Sequence, residues 1–201
     1  MPNDTFTITA PPGTDIWRKP PSTNSFNAPT QSLLPSGPIP LSSFTRARLT
    51  LRGPWTTRYD QGGLLLHLTT PGTTAATSRW LKIGIEYYLD RVYLSTVATQ
   101  THSDWSVAAP ADGGASGATT IEVRREKDEL GSSLWVYEIV LGEGGEERER
   151  RPLREVTWWF AEEEGWSVDV RAMAARPAAK ESVVGEEGLV VSFEGVEVEV
   201  A

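Results

Sequence analysis

From Phe44 onward, apolar and polar positions alternate along the chain with a period of two. Ala47, Leu49 and Leu51 are interleaved with Arg46, Arg48, Thr50 and Arg52, which predicts a half-buried strand with a basic outer face. Leu64, Leu66 and Leu68 repeat the pattern after the Gly62-Gly63 pair. The clearest stretch is Trp80 to Tyr88: Leu81, Ile83, Ile85 and Tyr87 form one face, and Trp80, Lys82, Gly84, Glu86 and Tyr88 the other. The first face reads as core, and the second gathers polar and aromatic groups. Further strands are expected at Val92 to Thr99, Thr120 to Arg124, Leu134 to Leu141, Val156 to Phe160, Trp166 to Ala172, Leu189 to Phe193 and Val196 to Val200, with a short one at Phe6 to Thr9. That makes about a dozen short strands separated by Gly-rich turns such as Asp112-Gly113-Gly114. No amphipathic helix of ordinary length is visible, so the predicted fold is all-β, a jelly-roll sandwich of two antiparallel sheets.

Two segments break the alternation. Residues 11–40 are rich in Pro, Ser and Asn without a helical period and read as a surface loop. Residues 142–151 mix Glu, Arg and Gly and read as a charged loop or hairpin tip. Neither suggests a second domain, so one domain over 1–201 is expected, a size at which a chain buries roughly 70% of its unfolded surface without staples. The chain has no cysteine, which excludes thiolate metal sites and thiol nucleophiles and favours a reducing compartment. Residues 1–10 lack the basic flank and apolar run of a signal peptide, and no stretch is long and apolar enough to span a bilayer. A cytoplasmic location with no membrane contact is therefore expected. With 27 acidic against 19 basic side chains the formal charge is -8, which argues against a nucleic-acid partner.

Taken in order, Asp15-Ile16-Trp17-Arg18, Asn27-Ala28-Pro29, Tyr59-Asp60-Gln61-Gly62-Gly63-Leu64, the Arg79 to Glu86 strand with its Trp-Leu-Lys-x-Gly-x-Glu core, and Ser103-Asp104-Trp105-Ser106 resemble one family. It is the family that includes the fungal regulation-of-enolase protein, within the concanavalin A-like lectin/glucanase superfamily. The resemblance runs from about Trp17 to Phe193. It implies a concanavalin A-like jelly roll whose concave sheet binds carbohydrate or a sugar derivative. It implies no particular reaction, because a fold does not carry a function.

Alternation sends Trp80, Lys82 and Glu86 out of one sheet face with Gly84 as a flat gap between them. This suits a sugar ring, with an aromatic surface for its C–H patch and charged groups for its hydroxyls; the alternative is a surface Lys82–Glu86 contact beside an aromatic pair. Tyr59, Asp60 and Gln61 either reach the same site or form a turn in which Asp60 accepts backbone N–H groups. Asp104 and Trp105 either project over the cleft or close an Asx-turn and plug the sandwich end. Asn27 is a ligand or a turn residue, and its case rests on the resemblance.

For catalysis the candidate is Glu86, but the Glu-x-Asp-x-x-Glu run common in superfamily glucanases is missing. Glu86 and Asp90 on a straight strand would stand about 13 Å apart, too far for either glycosidase geometry, so a partner such as Asp60 or Asp104 would be required. Glu197 and Glu199 share one strand face that reads as solvated. His67 and His102 are the only histidines and no compact acidic loop is present, so neither a metal nor another cofactor is expected. Three functions remain open: a carbohydrate-binding protein, a glycan-active enzyme with Glu86 as acid or base, and a protein-interaction module without a small ligand, a class suggested by the regulatory name of the fungal relative.

Overall fold

A computed structural model describes residues 5–115, 117–178 and 188–201. Strands β1 (Phe6–Ala10), β2 (Ile16–Lys19), β3 (Thr23–Phe26), β4 (Thr30–Ser32) and β5 (Ile39–Pro40) precede the long strands β6 (Phe44–Arg52), β7 (Gln61–Thr69), β8 (Arg79–Tyr88) and β9 (Arg91–Thr99). They are followed by β10 (Ser103–Ala108), β11 (Ala118–Asp128), β12 (Gly131–Leu141), β13 (Glu147–Val156), β14 (Ser167–Ala175) and β15 (Leu189–Val200). One sheet runs β1-β15-β6-β11-β12-β13, and the other β10-β9-β8-β7-β14-β4 with β5 also on β14. All pairings between these strands are antiparallel. The result is the expected all-β jelly-roll sandwich. No helix among the described residues is long and apolar enough to cross a membrane.

The core lies where the period of two places it. Ala47, Leu49 and Leu51 of β6, Ile121 and Val123 of β11, and Val191 and Phe193 of β15 face Leu64, Leu66 and Leu68 of β7, Leu81, Ile83 and Ile85 of β8, and Val168 and Val170 of β14. Burying apolar surface of this extent is the main stabilising force of the sandwich. A second, smaller cluster forms on the opposite face of the β7–β8 sheet, where Ile16, Leu65, Trp80, Met173 and Ala175 pack with Phe26 and Ala28. It exists because the β2–β3 hairpin lies across that face.

Residues 11–40 are therefore more than a loop: they contain the hairpin and two short strands that pair with β14. The expectation failed because the hairpin fully buries only Ile16 and Arg18, with Trp17, Ser25 and Phe26 partly covered and residues 19–24 exposed. Of the charged run at 142–151, residues 142–146 are the tip of the β12–β13 hairpin, whereas from Glu147 onward it belongs to edge strand β13. Its charges find partners across the sheet, with Arg48 2.5 Å from Glu147 and Arg151 2.5 Å from Glu138. Pro152 is accommodated beside a register shift opposite Val136 and Tyr137, as expected of a proline at a sheet edge.

Two smaller corrections follow from turns. The strand expected at Val156 to Phe160 ends at Val156, after which a turn packs Trp159 into the core. The two strands expected near the C-terminus are one, β15, with a register shift between Glu194 and Glu197. Gly195 at φ 60° allows it.

Candidate functional site

The floor of the site is the outer face of β8 and its neighbours. Lys82, 5% exposed, sends its Nζ to Gln61 Oε1 at 2.6 Å and lies 3.5 Å from Asp15 Oδ1. Gln61 in turn donates from Nε2 to the Tyr59 carbonyl at 3.2 Å. On the other side, Ser95 of β9 donates to Glu86 Oε2 at 2.7 Å and accepts from Trp105 Nε1 at 3.0 Å. Burial pushes the Glu86 carboxyl above its ordinary value, while the nearby Lys82 ammonium and the Ser95 bond pull it back only in part. Between Lys82 and Glu86 the floor is bare. A Cβ on Gly84 would stand 1.9 Å from the Gly62 carbonyl oxygen, and one on Gly63 1.9 Å from that of Ile83, so only glycine lets β7 and β8 approach this closely.

The walls come from three elements. Along β2, Ile16 and Arg18 turn inward, which leaves Trp17 and Lys19 on the side that lines the cleft. Arg18 fixes the hairpin by donating to the carbonyls of Ser78 at 3.1 Å, Thr101 at 3.2 Å and Ala75 at 2.6 Å, with its guanidinium 4.3 Å over the Trp80 ring. The loop before β7 supplies Tyr59, held at φ 69°, whose ring stacks on Tyr88 at 5.5 Å and lies under Arg58. Strand β10 supplies Trp105, edge-on to Tyr88 at 5.3 Å. Together they enclose a cleft of about 630 Å³, a size typical of small-molecule sites.

Of the residues singled out in the sequence, Tyr59, Gln61, Lys82, Glu86 and Trp105 line this cleft, and four others do not. Trp80 leaves the sheet on the expected face but is 0% exposed beneath the β2–β3 hairpin, so it presents no open platform. Asp60 is likewise 0% exposed. It accepts the amides of Thr56 at 3.1 Å and Thr57 at 2.9 Å and pairs with Arg176 through two bonds of 2.8 and 2.9 Å, a turn and ion-pair role. Asn27 accepts the Asp15 amide at 2.8 Å and donates to the Gly13 carbonyl at 3.1 Å; it orders the turn that carries Asp15. Asp104 alternates with Trp105 and so points away from the cleft, with its side chain 79% exposed and 3.6 Å from Arg154.

Sequence reasoning did not single out Asp15, Trp17, Lys19, Arg58 or Ser95 as site residues. The available signal was the short alternation Ile16-Trp17-Arg18-Lys19 inside the Pro-rich segment, in which every second residue faces the cleft. His67 is largely buried against Phe26, with its ring held toward the neutral form by desolvation. No group of three His, Asp or Glu side chains suited to a metal ion occurs among the described residues.

A family model described as "Protein of unknown function (DUF1349)" matches residues 1–200. An uncharacterized protein of Emericella nidulans is 44% identical over 195 residues, covering 97% of this chain and 86% of that protein. Among solved structures, a functionally unknown protein from Saccharomyces cerevisiae superposes with a TM-score of 0.64 at 22% identity, covering 98% of this chain and 88% of that one. A GH43 protein from Bacillus licheniformis superposes with a TM-score of 0.48 at 11% identity, over 79% of this chain and 28% of that one. The likeness to the yeast protein is one of fold.

Proposed function

We infer, for a chain that belongs to the DUF1349 family of proteins of unknown function, a saccharide-binding role seated in the cleft on the outer face of the β7–β8 sheet. One observation carries this reading: the indoles of Trp17 and Trp105 border a floor on which Lys82, Gln61, Ser95 and Glu86 are held by buried hydrogen bonds. Aromatic faces suit the C–H surface of a pyranose, and fixed polar groups suit its hydroxyls. Because the polar groups already hold one another in place, little side-chain entropy is lost when a ligand arrives. The platform in this reading is Trp17 with Trp105, in place of Trp80.

The test is a glycan array followed by calorimetry on the oligosaccharides that bind. Lys82→Ala and Trp17→Ala are each expected to weaken binding at least tenfold while the far-UV spectrum stays unchanged. If no saccharide binds, or if both variants bind as the parent does, the reading is wrong.

A second reading, glycan chemistry with Glu86 as general acid, is supported by one further observation. Burial holds Glu86 toward its protonated form, and Asp15 supplies a second carboxylate in the same cleft, a role open to neither Asp60 nor Asp104. An acid of raised pKa beside a second carboxylate is the pairing glycoside hydrolysis uses. Release of reducing sugar that disappears in Glu86→Gln while binding persists would establish it; no release by the parent protein from any oligosaccharide it binds would exclude it.

A further inference from the structure

The charges around the cleft are out of keeping with the rest of the chain. Carboxylates outnumber cations 27 to 19 overall, yet Lys19, Arg58 and Lys82 line this cavity against Asp15 and Glu86. The two carboxylates are also partly spent. Asp15 lies by Lys82, and Glu86 accepts from Ser95, with burial pushing its carboxyl toward the neutral form. Lys82 is occupied by Gln61. Lys19 and Arg58 are exposed, and neither has a carboxylate partner among the described residues; Arg58 donates only to the neighbouring Tyr59 hydroxyl at 2.7 Å. On a chain this acidic, two cations at the rim of one cleft with no carboxylate partner among the described residues mark a place suited to a negative charge.

We propose that the ligand of this cleft is an acidic saccharide, its ring on Trp17 and Trp105 and its anionic substituent on Lys19 and Arg58. The proposal rests on the saccharide-binding reading above and narrows it to one chemical class. Arg58 is suited to the task, because its guanidinium is already placed 4.6 Å over the Tyr59 ring and 5.4 Å over that of Tyr88, and a planar fork matches a carboxylate or an ester oxyanion in two bonds. Lys19 reaches the cleft because it is two residues from Trp17 on β2, on the same face. Long-range attraction from these cations also offsets the repulsion that the overall charge of -8 would exert on an anionic ligand.

Calorimetry with trigalacturonate, its fully methyl-esterified form, glucose 6-phosphate and glucose tests this directly. Trigalacturonate should bind at least tenfold more tightly than its ester, with an affinity that falls as salt rises, and the double variant Lys19→Ala/Arg58→Ala should reduce the two to equal binding. A preference for glucose 6-phosphate over glucose that exceeds the trigalacturonate effect would assign the anion as a phosphate ester; the reverse would assign it as a carboxylate. Equal binding of acid and ester together with equal binding of glucose 6-phosphate and glucose by the parent protein overturns the inference and leaves the saccharide reading standing. Absence of binding by all four probes and across the glycan array removes both.

Discussion

Glu86 is a carboxyl held almost wholly out of water on the floor of the cleft. It is 6% exposed, and burial raises its pKa against the opposing pull of Lys82 and Ser95. A carboxyl that keeps its proton to higher pH when folded makes the folded state bind more protons from the ordinary glutamate value upward. Stability therefore falls as pH rises through that window, and the loss is complete above the folded value. Glu86→Gln keeps an oxygen to accept from Ser95 and removes the charge. Its melting temperature should match the parent's in acid, below the ordinary glutamate value, and exceed it at neutral pH. Thermal melts at several pH values check this; a variant less stable than the parent at pH 7 would mean that attraction to Lys82 outweighs desolvation. Trp80 teaches the complementary lesson at this scale. Alternation gave its face correctly, but no pattern on β8 reveals that a hairpin 60 residues earlier in sequence lies over it.

The β2–β3 hairpin is the element on which the cleft depends, and Arg18 is the residue that fastens it. Its guanidinium satisfies three backbone carbonyls from two other loops, and hydrogen bonds from a charged donor contribute about 1.5–3 kcal/mol. Arg18→Ala is expected to cost about 2–3 kcal/mol in chemical denaturation and to shift tryptophan emission to the red as Trp80 meets water. It should also weaken ligand binding, since Trp17 and Lys19 ride on the same strand. On the opposite sheet, Glu122 is 0% exposed and lies 3.0 Å from Arg46 and 2.7 Å from Arg48, with Arg150 also bonded to it. Glu122→Gln removes the anion that these three cations and Arg124, at 3.7 Å, share. The arginines are partly solvated, which moderates the roughly 3–5 kcal/mol typical of a broken buried pair, so a loss of about 2–3 kcal/mol is expected in urea unfolding, with ligand affinity unchanged. The long strands were legible because burial on one face forces a period of two. The β2–β3 hairpin and β13 were not: the first buries only two residues of β2, and the second is held to the sheet partly by charges that pair across strands, an arrangement that hydrophobic periodicity does not register.

Across the whole molecule the walls of the cleft converge on one buried ion pair. Asp60 holds the loop carrying Arg58 and Tyr59 by accepting the Thr56 and Thr57 amides, and clasps Arg176 at the end of β14. Arg176 also receives the N-terminal segment, through Gly13 N–H on its carbonyl at 2.8 Å and its own amide on Thr14 Oγ1 at 3.1 Å. That segment leads directly into Asp15 and β2, and Pro177 beyond Arg176 lines the cleft itself. The Tyr-Asp-Gln-Gly-Gly turn was legible as a motif, but its acid proves to be a structural anchor and its flanking Tyr59 and Gln61 are the cleft residues, a division that only the distant Arg176 determines. Asp60→Asn would replace a carboxylate that is 0% exposed and takes two bonds from the Arg176 guanidinium with a neutral amide, at a cost of about 3–5 kcal/mol. The consequence should extend beyond stability. With the loop, the N-terminal segment and the end of β14 released together, Asp60→Asn should weaken ligand binding and raise amide exchange in 11–15 and 56–60 at once, whereas Lys82→Ala should weaken binding and leave exchange in both segments unaltered. Hydrogen exchange on the two variants separates an anchor of the cleft from a group that meets the ligand; faster exchange confined to 56–60 in Asp60→Asn would show that the pair holds its own loop and nothing more.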